Sequence, residues 1–273
     1  MTSVLTFSII QNMNKKILFF DIDGTLWNWK NEIPDSTAEA IRRARKAGHL
    51  AFINTGRTRG FVRNEALLDI GFDGIVSGCG TMIEYDGRVV YDSRIPREQA
   101  IEIVEAVRRY GCRPILEGSE YLYMDDEDFK NDWYAKKLIR ELGDRLKSIK
   151  NEWGSWEIQK LSLDIREGDI EGCEREYGDR YDFIKHDVAV CELVPSGFSK
   201  GTGVIKVCEL LDIPVSDSFA FGDSVNDTAM LITAGTGIVM GSARDGVKDL
   251  ADYVSTPQEE DGIWNACRHF GLI

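Results

Sequence analysis

The chain has 273 residues, of which 33 are basic and 46 acidic, so its formal charge is −13. This excess of acid argues against a general nucleic-acid or membrane-surface binder, because polyanions would be repelled. Hydrophobic residues make up 43% of the chain, enough for a packed core, and the length allows one large domain or two smaller ones.

The six cysteines are scattered and form no C-x-x-C pair, which predicts reduced, buried thiols in a cytoplasmic protein. No apolar run approaches the roughly 20 residues of a membrane-spanning helix. The short apolar stretch 4–10 has no basic segment before it and no cleavage site after it, so we expect no signal peptide. Met13 is an alternative start, which would make residues 1–12 an upstream extension.

The first part of the chain alternates between apolar strands and amphipathic helices. Continuous apolar runs bounded by charges are typical of buried parallel strands. Strands that alternate with helices predict right-handed crossovers and a parallel sheet. The predicted elements are a strand at 15–21, a helix at 34–47, a strand at 49–54, a helix from 57 to about 70 and a strand at 74–77.

The middle of the chain mixes hairpins with helices, which indicates a small α+β domain. The turn Asp86-Gly87 between two β-rich runs predicts a hairpin over 82–92. The elements predicted after it are a helix at 96–110, strands at 113–116 and 121–124, a helix at 133–142, a strand at 158–165, a helix at 169–177 and strands at 182–185 and 188–194.

The parallel pattern resumes after Pro195, with a helix at 201–211, a strand at 219–222, a helix at 225–234 and short strands near 238 and 253. The predicted fold class is therefore α/β, a doubly wound parallel-sheet core interrupted by an inserted α+β domain. The predicted boundaries are 13–82 and 191–273 for the core, 83–190 for the insertion and 1–12 for the extension.

Polar clusters follow the predicted core strands, where open parallel sheets bind their ligands. Asp21 and Asp23 come after the first strand, and Gly24 permits a tight turn that aims both carboxylates inward. One carboxylate could attack as a nucleophile while the other acts as general acid and base. The alternative is a solvated turn.

A second acidic cluster, Asp223, Asn226 and Asp227, follows the strand at 219–222. Carboxylate and amide oxygens suit a hard cation such as Mg²⁺. The alternative is plain capping of the next helix, since Asp and Asn are favoured at helix starts.

Two further segments have the composition of anion sites. Thr55, Gly56 and Arg57 follow the second strand, where a hydroxyl and backbone N–H groups can bind an anion, although Thr55 could simply be a cap and Arg57 a surface residue. Lys200 lies in a glycine-rich segment at a helix start and offers a compact charge for phosphate, with a solvated surface lysine as the alternative.

In this combination and order, the clusters resemble the motifs of the haloacid dehalogenase superfamily, and within it those of the Cof-type phosphatases, which carry a large α+β (type IIB) cap after the third core strand. The resemblance covers residues 15–273, and segments 221–231, 240–243 and 260–263 are close to the subfamily's C-terminal signature. The matching residues are Asp21 and Asp23 for the first motif, Thr55 for the second, Lys200 for the third, and Asp223 with Asp227 for the fourth.

The resemblance implies a Mg²⁺-dependent phosphomonoesterase that hydrolyses a small phosphorylated metabolite, such as a sugar phosphate or a phosphorylated cofactor. It implies that Asp21 attacks phosphorus to form an aspartyl phosphate. Asp23, with a raised pKa in the complex, would protonate the leaving oxygen and then activate water. We expect neither a nucleic-acid nor a membrane partner, and a monomer or weak homodimer.

The resemblance also implies roles for the remaining site residues. Thr55, Gly56 and Lys200 would bind the phosphoryl group. Specificity residues would lie in the cap. The implied Mg²⁺ ligands are Asp21, the Asp23 backbone carbonyl and Asp223, supported by Asn226 and Asp227.

Two alternatives remain open from the sequence. A phosphosugar mutase would use the same aspartates but would need basic cap residues to hold a bisphosphate, and the candidates Lys160, Arg166 and Lys185 form no obvious cluster. A non-catalytic metabolite-binding module on the same fold is the other alternative, although every expected catalytic residue type is present.

Cys79 departs from the subfamily, which often has asparagine there in contact with substrate or phosphate. We expect Cys79 to be a small packed residue, and the departure puts the identity of the substrate in doubt. Other conspicuous residues are predicted to be structural: isolated histidines (His49, His186, His269), tryptophans in core packing (Trp133, Trp153, Trp156) and a solvated acidic loop (125–128).

Overall fold

The structure is a computed structural model that describes residues 15–129, 132–186, 188–243 and 245–273. The predicted extension 1–12 lies outside these ranges. The strands are β1 (Ile17–Phe20), β2 (Leu50–Asn54), β3 (Gly74–Ser77), β4 (Met82–Tyr85), β5 (Arg88–Asp92), β6 (Arg113–Glu117), β7 (Leu122–Tyr123), β8 (Leu146–Lys147), β9 (Lys160–Asp164), β10 (Tyr181–Lys185), β11 (Val190–Pro195), β12 (Ser218–Gly222), β13 (Thr236–Val239) and β14 (Tyr253–Val254). The helices are α1 (Asp35–Lys46), α2 (Glu65–Leu68), α3 (Arg97–Arg109), α4 (Trp133–Leu142), α5 (Ile170–Tyr177), α6 (Lys200–Leu210), α7 (Thr228–Thr233), α8 (Asp245–Lys248) and α9 (Gly262–His269).

The first sheet has the order β14-β13-β12-β1-β2-β3-β4-β5. Its strands run parallel from β14 to β3, and the hairpin of β4 and β5 is antiparallel. Since β1 lies between β2 and β12, the chain winds outward from β1 in both directions, and ligand sites form at such a switch point. The predicted α/β class with a parallel core is confirmed.

Side chains of β1 alternate between two hydrophobic layers, one on each face of this sheet. Leu18 and Phe20 pack in the layer covered by α1 and α9, and Ile17 and Phe19 pack in the layer covered by α6 and α7. Both faces are buried, which explains the continuous apolar run of this strand. None of the helices in the described residues is long and apolar enough to cross a bilayer.

The second sheet has the order β10-β11-β9-β6-β7-β8 and is antiparallel except for the β7–β8 pair. One of its faces packs against α3 and α5 through residues such as Leu161 and Leu163. Because side chains alternate along a strand, Lys160 and Ser162 of β9 point to the opposite face. That polar face lines the cleft between the two sheets.

The strand pairing moves both boundaries of the predicted insertion. Residues 83–92 were assigned to it, but β4 and β5 pair with the first sheet. At the other end, the boundary at residue 191 would give most of β11 to the core, whereas β11 pairs with β9 and β10 in the second sheet. A hairpin at a sheet edge carries no signal in its own sequence for the sheet it joins, so the pattern alone could not assign it.

Two predicted helices differ from the structure, and three elements were not predicted. The helix predicted from 57 to about 70 is reduced to α2, which begins after Asn64, whose side chain accepts a hydrogen bond from the backbone N–H of Leu67 at 2.9 Å. The helix predicted at 225–234 starts as a 3₁₀ turn and becomes α-helical only over α7. Helix α9, strand β8 and helix α8 were not predicted.

The acidic segment 125–128 is not simply a solvated loop, because Asp125 is buried. Its carboxylate accepts hydrogen bonds from Arg108 and from the Ser148 hydroxyl, each at 2.7 Å, and from the Lys150 backbone N–H at 3.1 Å. Although burial alone would raise the pKa of Asp125, the hydrogen bonds from Ser148 and Arg108 lower it overall. Asp125 therefore ties α3 to the loop after β8.

The contacts of Asp125 predict a specific loss of stability. Replacing Asp125 with Asn should lower the free energy of unfolding by about 1–3 kcal/mol, because the partners of this buried carboxylate lose a charged acceptor. Chemical denaturation measures this. The exposed neighbour provides the control, since Asp126→Asn should stay within about 0.5 kcal/mol of the parent. Equal effects of the two substitutions would contradict a structural role for Asp125.

Candidate active site

Four separate stretches of chain meet at the carboxyl ends of the central strands. Asp21 follows β1, Thr55 follows β2, Asp223 follows β12 and Lys200 begins α6. The Lys200 Nζ lies 2.6 Å from Asp21 Oδ1 and 2.5 Å from Asp227 Oδ1. The structure thus brings the predicted motif residues to one place, and Lys200 is a buried ion-pair partner instead of a solvated lysine.

Lys200 is held by the way its helix begins. Ser199 caps the helix by accepting the backbone N–H of Thr202 at 3.1 Å, and Asn54 Nδ2 donates to the Lys200 carbonyl at 2.9 Å. Gly80 has φ +89°, and a Cβ there would lie 2.7 Å from the Ser199 carbonyl oxygen. A glycine at this position is therefore needed for the close approach that brings Lys200 to the aspartates.

Asp227 has two structural roles at once. One oxygen binds Lys200, and the other accepts the backbone N–H groups of Asp223 and Ser224 at 3.0 Å each. The capping alternative for this cluster therefore holds in part, because Asp227 orders the turn that carries Asp223. Asn226 lines the cleft, and its side-chain oxygen accepts from the Ser224 hydroxyl at 2.5 Å.

Negative charge is in excess in this cluster. One carboxylate oxygen from each of Asp21, Asp223 and Asp227 lies within 4.8 Å of the others, against the single ammonium of Lys200. Burial, and next the charge of Asp227, raise the pKa of Asp21 well above its usual range and that of Asp223 to about 7. Oxygen donors with uncompensated negative charge are the environment that Mg²⁺ prefers, so these residues fit the cation.

Asp23 is in a different electrostatic environment. Arg57 pairs with both of its oxygens at 2.7 Å, and Trp27 Nε1 donates to Oδ1 at 3.0 Å. Although burial alone would raise the pKa of Asp23, the charge and hydrogen bonds of Arg57 lower it overall. Arg57 is thus a site residue and not a free surface group, and without substrate the pKa shift is opposite to the rise predicted for the complex.

The loop after β2 presents Thr55 and Gly56 to the cleft. The Thr55 hydroxyl accepts the backbone N–H of Arg57 at 3.1 Å, so it caps a tight turn and no helix begins there. The Thr55 backbone N–H donates to Val76 at 2.9 Å, which fixes the loop against β3.

Cys79 has the packed character expected of it. It has φ +56°, and its Sγ lies 3.8 Å from Glu192 Oε2. Burial, and next the charge of Glu192, raise the pKa of Cys79 to about 12, so the thiol is neutral. It does not line the cleft formed by the described residues.

The aspartate cluster opens into a cleft of about 690 Å³ whose far wall comes from the second sheet and α4. The Lys160 ammonium on this wall lies 2.7 Å from Glu192 Oε2 and 3.5 Å from Glu117 Oε1. His186 Nε2 lies 3.1 Å from Glu192 Oε1. We call Lys160, Glu192, Glu117 and His186 the far-wall cluster.

Sequence reasoning missed the far-wall cluster as a unit. Lys160 was considered only as a possible phosphate ligand, and His186 was predicted to be structural. Glu117 of β6 lies opposite Lys160 of β9, and Glu192 of β11 lies opposite Ser162 of β9. The sequence signal was the alternation of polar and apolar residues along each strand. This alternation does not show which strands are neighbours.

The other basic candidates and the remaining conspicuous residues lie elsewhere. Arg166 pairs with Asp132 and Asp164, and Lys185 pairs with Glu174 and Glu171. The structural interpretation is supported for three residues: His49 accepts from the Lys16 backbone N–H, His269 stacks on Tyr253, and Trp156 is buried. Trp153 packs edge-on against Trp156 but is 42% exposed, so its predicted place in the core is wrong.

Comparison with known proteins gives a consistent set of relatives. The sequence profile of the haloacid dehalogenase-like hydrolases matches residues 18–267. YkrA of Bacillus subtilis (strain 168), which carries a phosphatase name, is 30% identical over 268 residues, covering 96% of this chain and 100% of that protein. YcsE of the same organism, named 5-amino-6-(5-phospho-D-ribitylamino)uracil phosphatase, is 30% identical over 271 residues, covering 96% and 98%.

A solved structure described as the HAD subclass IIB sugar phosphatase BT4131 is similar over the whole fold. It superposes with a TM-score of 0.80 at 28% identity, covering 95% of this chain and 100% of that one.

A substitution at Gly24 should disturb the metal site, and a control substitution at a second glycine separates this effect from backbone strain. Gly24 has φ +80°, and a Cβ there would lie 2.2 Å from Asp223 Oδ2. Gly24→Ala should therefore displace Asp223 and abolish the stabilisation of the protein by Mg²⁺, measured as the rise in melting temperature on adding the cation.

Gly48→Ala is the matched control, because Gly48 has φ +100° but a Cβ there meets nothing within 4 Å. Both substitutions should cost about 1–2 kcal/mol of backbone strain, and only Gly24→Ala should lose the Mg²⁺ response. An intact response in Gly24→Ala would show that Asp223 is not needed for the cation.

The raised pKa of Asp223 predicts how stability depends on pH without metal. Its pKa of about 7 in the folded protein is far above the ordinary value near 3.9. Protonation therefore favours the folded state, and the gain disappears as the pH rises through 7. In the presence of a chelator, the free energy of unfolding should rise by about 1 kcal/mol between pH 8 and pH 6 from this group.

Saturating Mg²⁺ should flatten this dependence, because the bound cation keeps the carboxylates ionised. Asp223→Asn should flatten it without metal. Denaturant titrations at each pH measure both effects. A metal-free stability that falls between pH 8 and pH 6 would contradict the electrostatic account.

Proposed function

The chain belongs to the haloacid dehalogenase-like hydrolases and is a phosphatase of that family, and from that premise we propose that it is a Mg²⁺-dependent phosphomonoesterase that acts on small metabolites through an aspartyl phosphate. The observation that carries the proposal is the position of Asp21. Its carboxylate is buried beside an ammonium and two further carboxylates, at the floor of a cleft large enough for a small metabolite.

Asp21 is the nucleophile. Its free oxygen attacks phosphorus, an O–P bond to Asp21 forms and the bond to the leaving oxygen breaks. Lys200 holds the attacking carboxylate in place and offsets the repulsion between it and the phosphate dianion, and Thr55 and Gly56 orient the phosphoryl group. Water then attacks the aspartyl phosphate, which releases inorganic phosphate and restores Asp21.

Asp23 is the general acid and base. It gives a proton to the leaving oxygen in the first step and takes one from water in the second. A phosphate dianion that enters the cleft beside Arg57 reduces the positive field on Asp23. The pKa of the carboxyl then rises, and Asp23 can hold the proton it must donate.

The residues that would hold Mg²⁺ are Asp21, the Asp23 carbonyl and Asp223, while Asp227 and Asn226 order the turn that carries Asp223. When bound, the cation neutralises negative charge on the nucleophile and on the phosphoryl oxygens. This assignment is supported by the excess of carboxylates over ammonium groups in the cluster.

Two relatives support a small phosphorylated metabolite as the substrate, since YcsE is named for a ribitylamino-uracil phosphate and BT4131 is described as a sugar phosphatase. The mutase alternative has less support. Of its three basic candidates only Lys160 lines the cleft, and Lys160 is already paired with carboxylates. A binding-only role is disfavoured by the completeness of the catalytic set.

The proposal is tested by phosphate release from a panel of sugar monophosphates, pyridoxal phosphate and p-nitrophenyl phosphate. We expect turnover with Mg²⁺ and none after chelation. Asp21→Asn should abolish turnover, and Asp23→Asn should lower kcat by about 10²–10⁴-fold, the usual range for loss of a general acid–base.

Asp86→Asn serves as the control, since Asp86 is an exposed residue of the β4–β5 turn and asparagine tolerates its φ of +50°. It should retain full activity. Metal-independent turnover, or an active Asp21→Asn protein, would refute the mechanism, and isomerised phosphosugar in place of free phosphate would favour a mutase.

A further inference from the structure

The far-wall cluster lies next to the loop that is proposed to bind the phosphoryl group. A Cβ on Gly56 would lie only 3.4 Å from Glu192 Oε2. The part of a substrate that follows a phosphate bound at Gly56 therefore lies beside Glu192. The leaving group of the substrate must therefore be chemically compatible with the side chains of the far wall.

In the far-wall cluster, carboxylates outnumber ammonium groups. Lys160 is fully buried and lies between two carboxylates, those of Glu192 and Glu117. Although burial alone would raise the pKa of Glu192, the Lys160 charge and His186 lower it to about 2, so this carboxylate is ionised. The carboxylates of Glu117 and Glu192 raise the pKa of Lys160 despite its burial, so the Lys160 ammonium is already matched by two carboxylates, and the His186 imidazole pairs with the second oxygen of Glu192.

The rest of this region holds neutral groups and the ammonium of Lys137. Burial raises the pKa of the Tyr134 phenol to about 12, and Tyr134 lines the cleft as an uncharged residue. Ser162 donates its hydroxyl proton to Glu117, and Thr58 donates to the other Glu117 oxygen at 3.3 Å. Lys137 also lines the cleft, and its ammonium is 3.9 Å from Glu141.

A carboxylate or second phosphate on the leaving group would have to compete with Glu192 and Glu117 for Lys160. It would also meet two like charges in a partly desolvated space, where repulsion is stronger than in water. A hydroxyl suits the same wall, because it can donate to a carboxylate oxygen, which has a second lone pair, and accept from the ammonium.

We propose that the far-wall cluster is a leaving-group subsite that selects an uncharged, polyhydroxylated leaving group and rejects an anionic one. The inference rests on the proposed function to the extent that the phosphoryl group is taken to lie at Asp21. It goes further by assigning substrate discrimination to Glu192, Glu117 and Lys160.

The test uses two compounds of the same chain length that differ only at the carbon farthest from the phosphate. D-Glucitol 6-phosphate ends in a hydroxymethyl group, and 6-phospho-D-gluconate ends in a carboxylate. Calorimetric titration of the Asp21→Asn protein with each compound, in the presence of Mg²⁺, measures binding without turnover. We expect glucitol 6-phosphate to bind at least about tenfold tighter, a difference of about 1.4 kcal/mol.

A second variant locates the source of the preference. Adding Glu192→Gln removes one negative charge from the wall and should reduce the preference by about tenfold, close to parity. Glu84→Gln is the matched control, because Glu84 is a comparably shielded carboxylate paired with Arg59 but does not line the cleft. The ratio of two affinities in one protein is insensitive to a general loss of binding strength.

Equal binding of the two compounds, a preference for the gluconate, or binding of neither would overturn the inference, as would an unchanged preference in Glu192→Gln. Hydrolysis of p-nitrophenyl phosphate by the unsubstituted protein reports separately on the proposed function. If that hydrolysis fails while the binding preference persists, the phosphatase chemistry is wrong and the subsite assignment stands.

Discussion

The buried ammonium of Lys200, held between Asp21 and Asp227, is the interaction on which the site depends. Two unit charges 4 Å apart interact by about 4 kcal/mol at the effective dielectric of a protein surface, so removing one member of such a group leaves an uncompensated charge. Asp21 follows β1, Lys200 begins α6, and Asp227 ends the 3₁₀ turn that follows β12. Satisfying these charges together therefore requires the two strands to be neighbours and α6 to begin at the same edge of the sheet.

The same cluster leads from structure to chemistry. Because three carboxylates share one ammonium, the site retains a demand for positive charge that a divalent cation can meet. Across the cleft, Lys160 is also buried, but its charge is already compensated by the carboxylates of Glu117 and Glu192, so it does not attract a further anion. The two ends of the cleft therefore differ: the floor suits a phosphoryl group with its cation, and the far wall suits hydroxyl groups.

Structural features that depend on residues close together in the sequence could be predicted from it, and features that depend on tertiary neighbours could not. Asp21, Thr55 and Asp223 each follow an apolar strand, so the parallel pattern alone placed them at one edge of the sheet. The β4–β5 hairpin was recognised, but its membership of the first sheet depends on pairing with distant residues. The pairing of Glu117 with Lys160, and of Arg57 with Asp23, likewise depends on tertiary neighbours, which is why the far-wall cluster and the role of Arg57 emerged only from the structure.

In the proposed mechanism, the Asp21 carboxylate, next to a cation held by Asp223, accepts the phosphoryl group. The most direct test of this step is a crystal structure of the protein grown with Mg²⁺ and beryllium trifluoride, which mimics a phosphoryl group on a carboxylate. We expect beryllium bonded to an Asp21 oxygen, with Mg²⁺ contacting Asp21 and Asp223 and with Lys200 and Thr55 around the fluorines. Beryllium on another residue, or a cation bound away from this cluster while Asp21 stays unmodified, would contradict it.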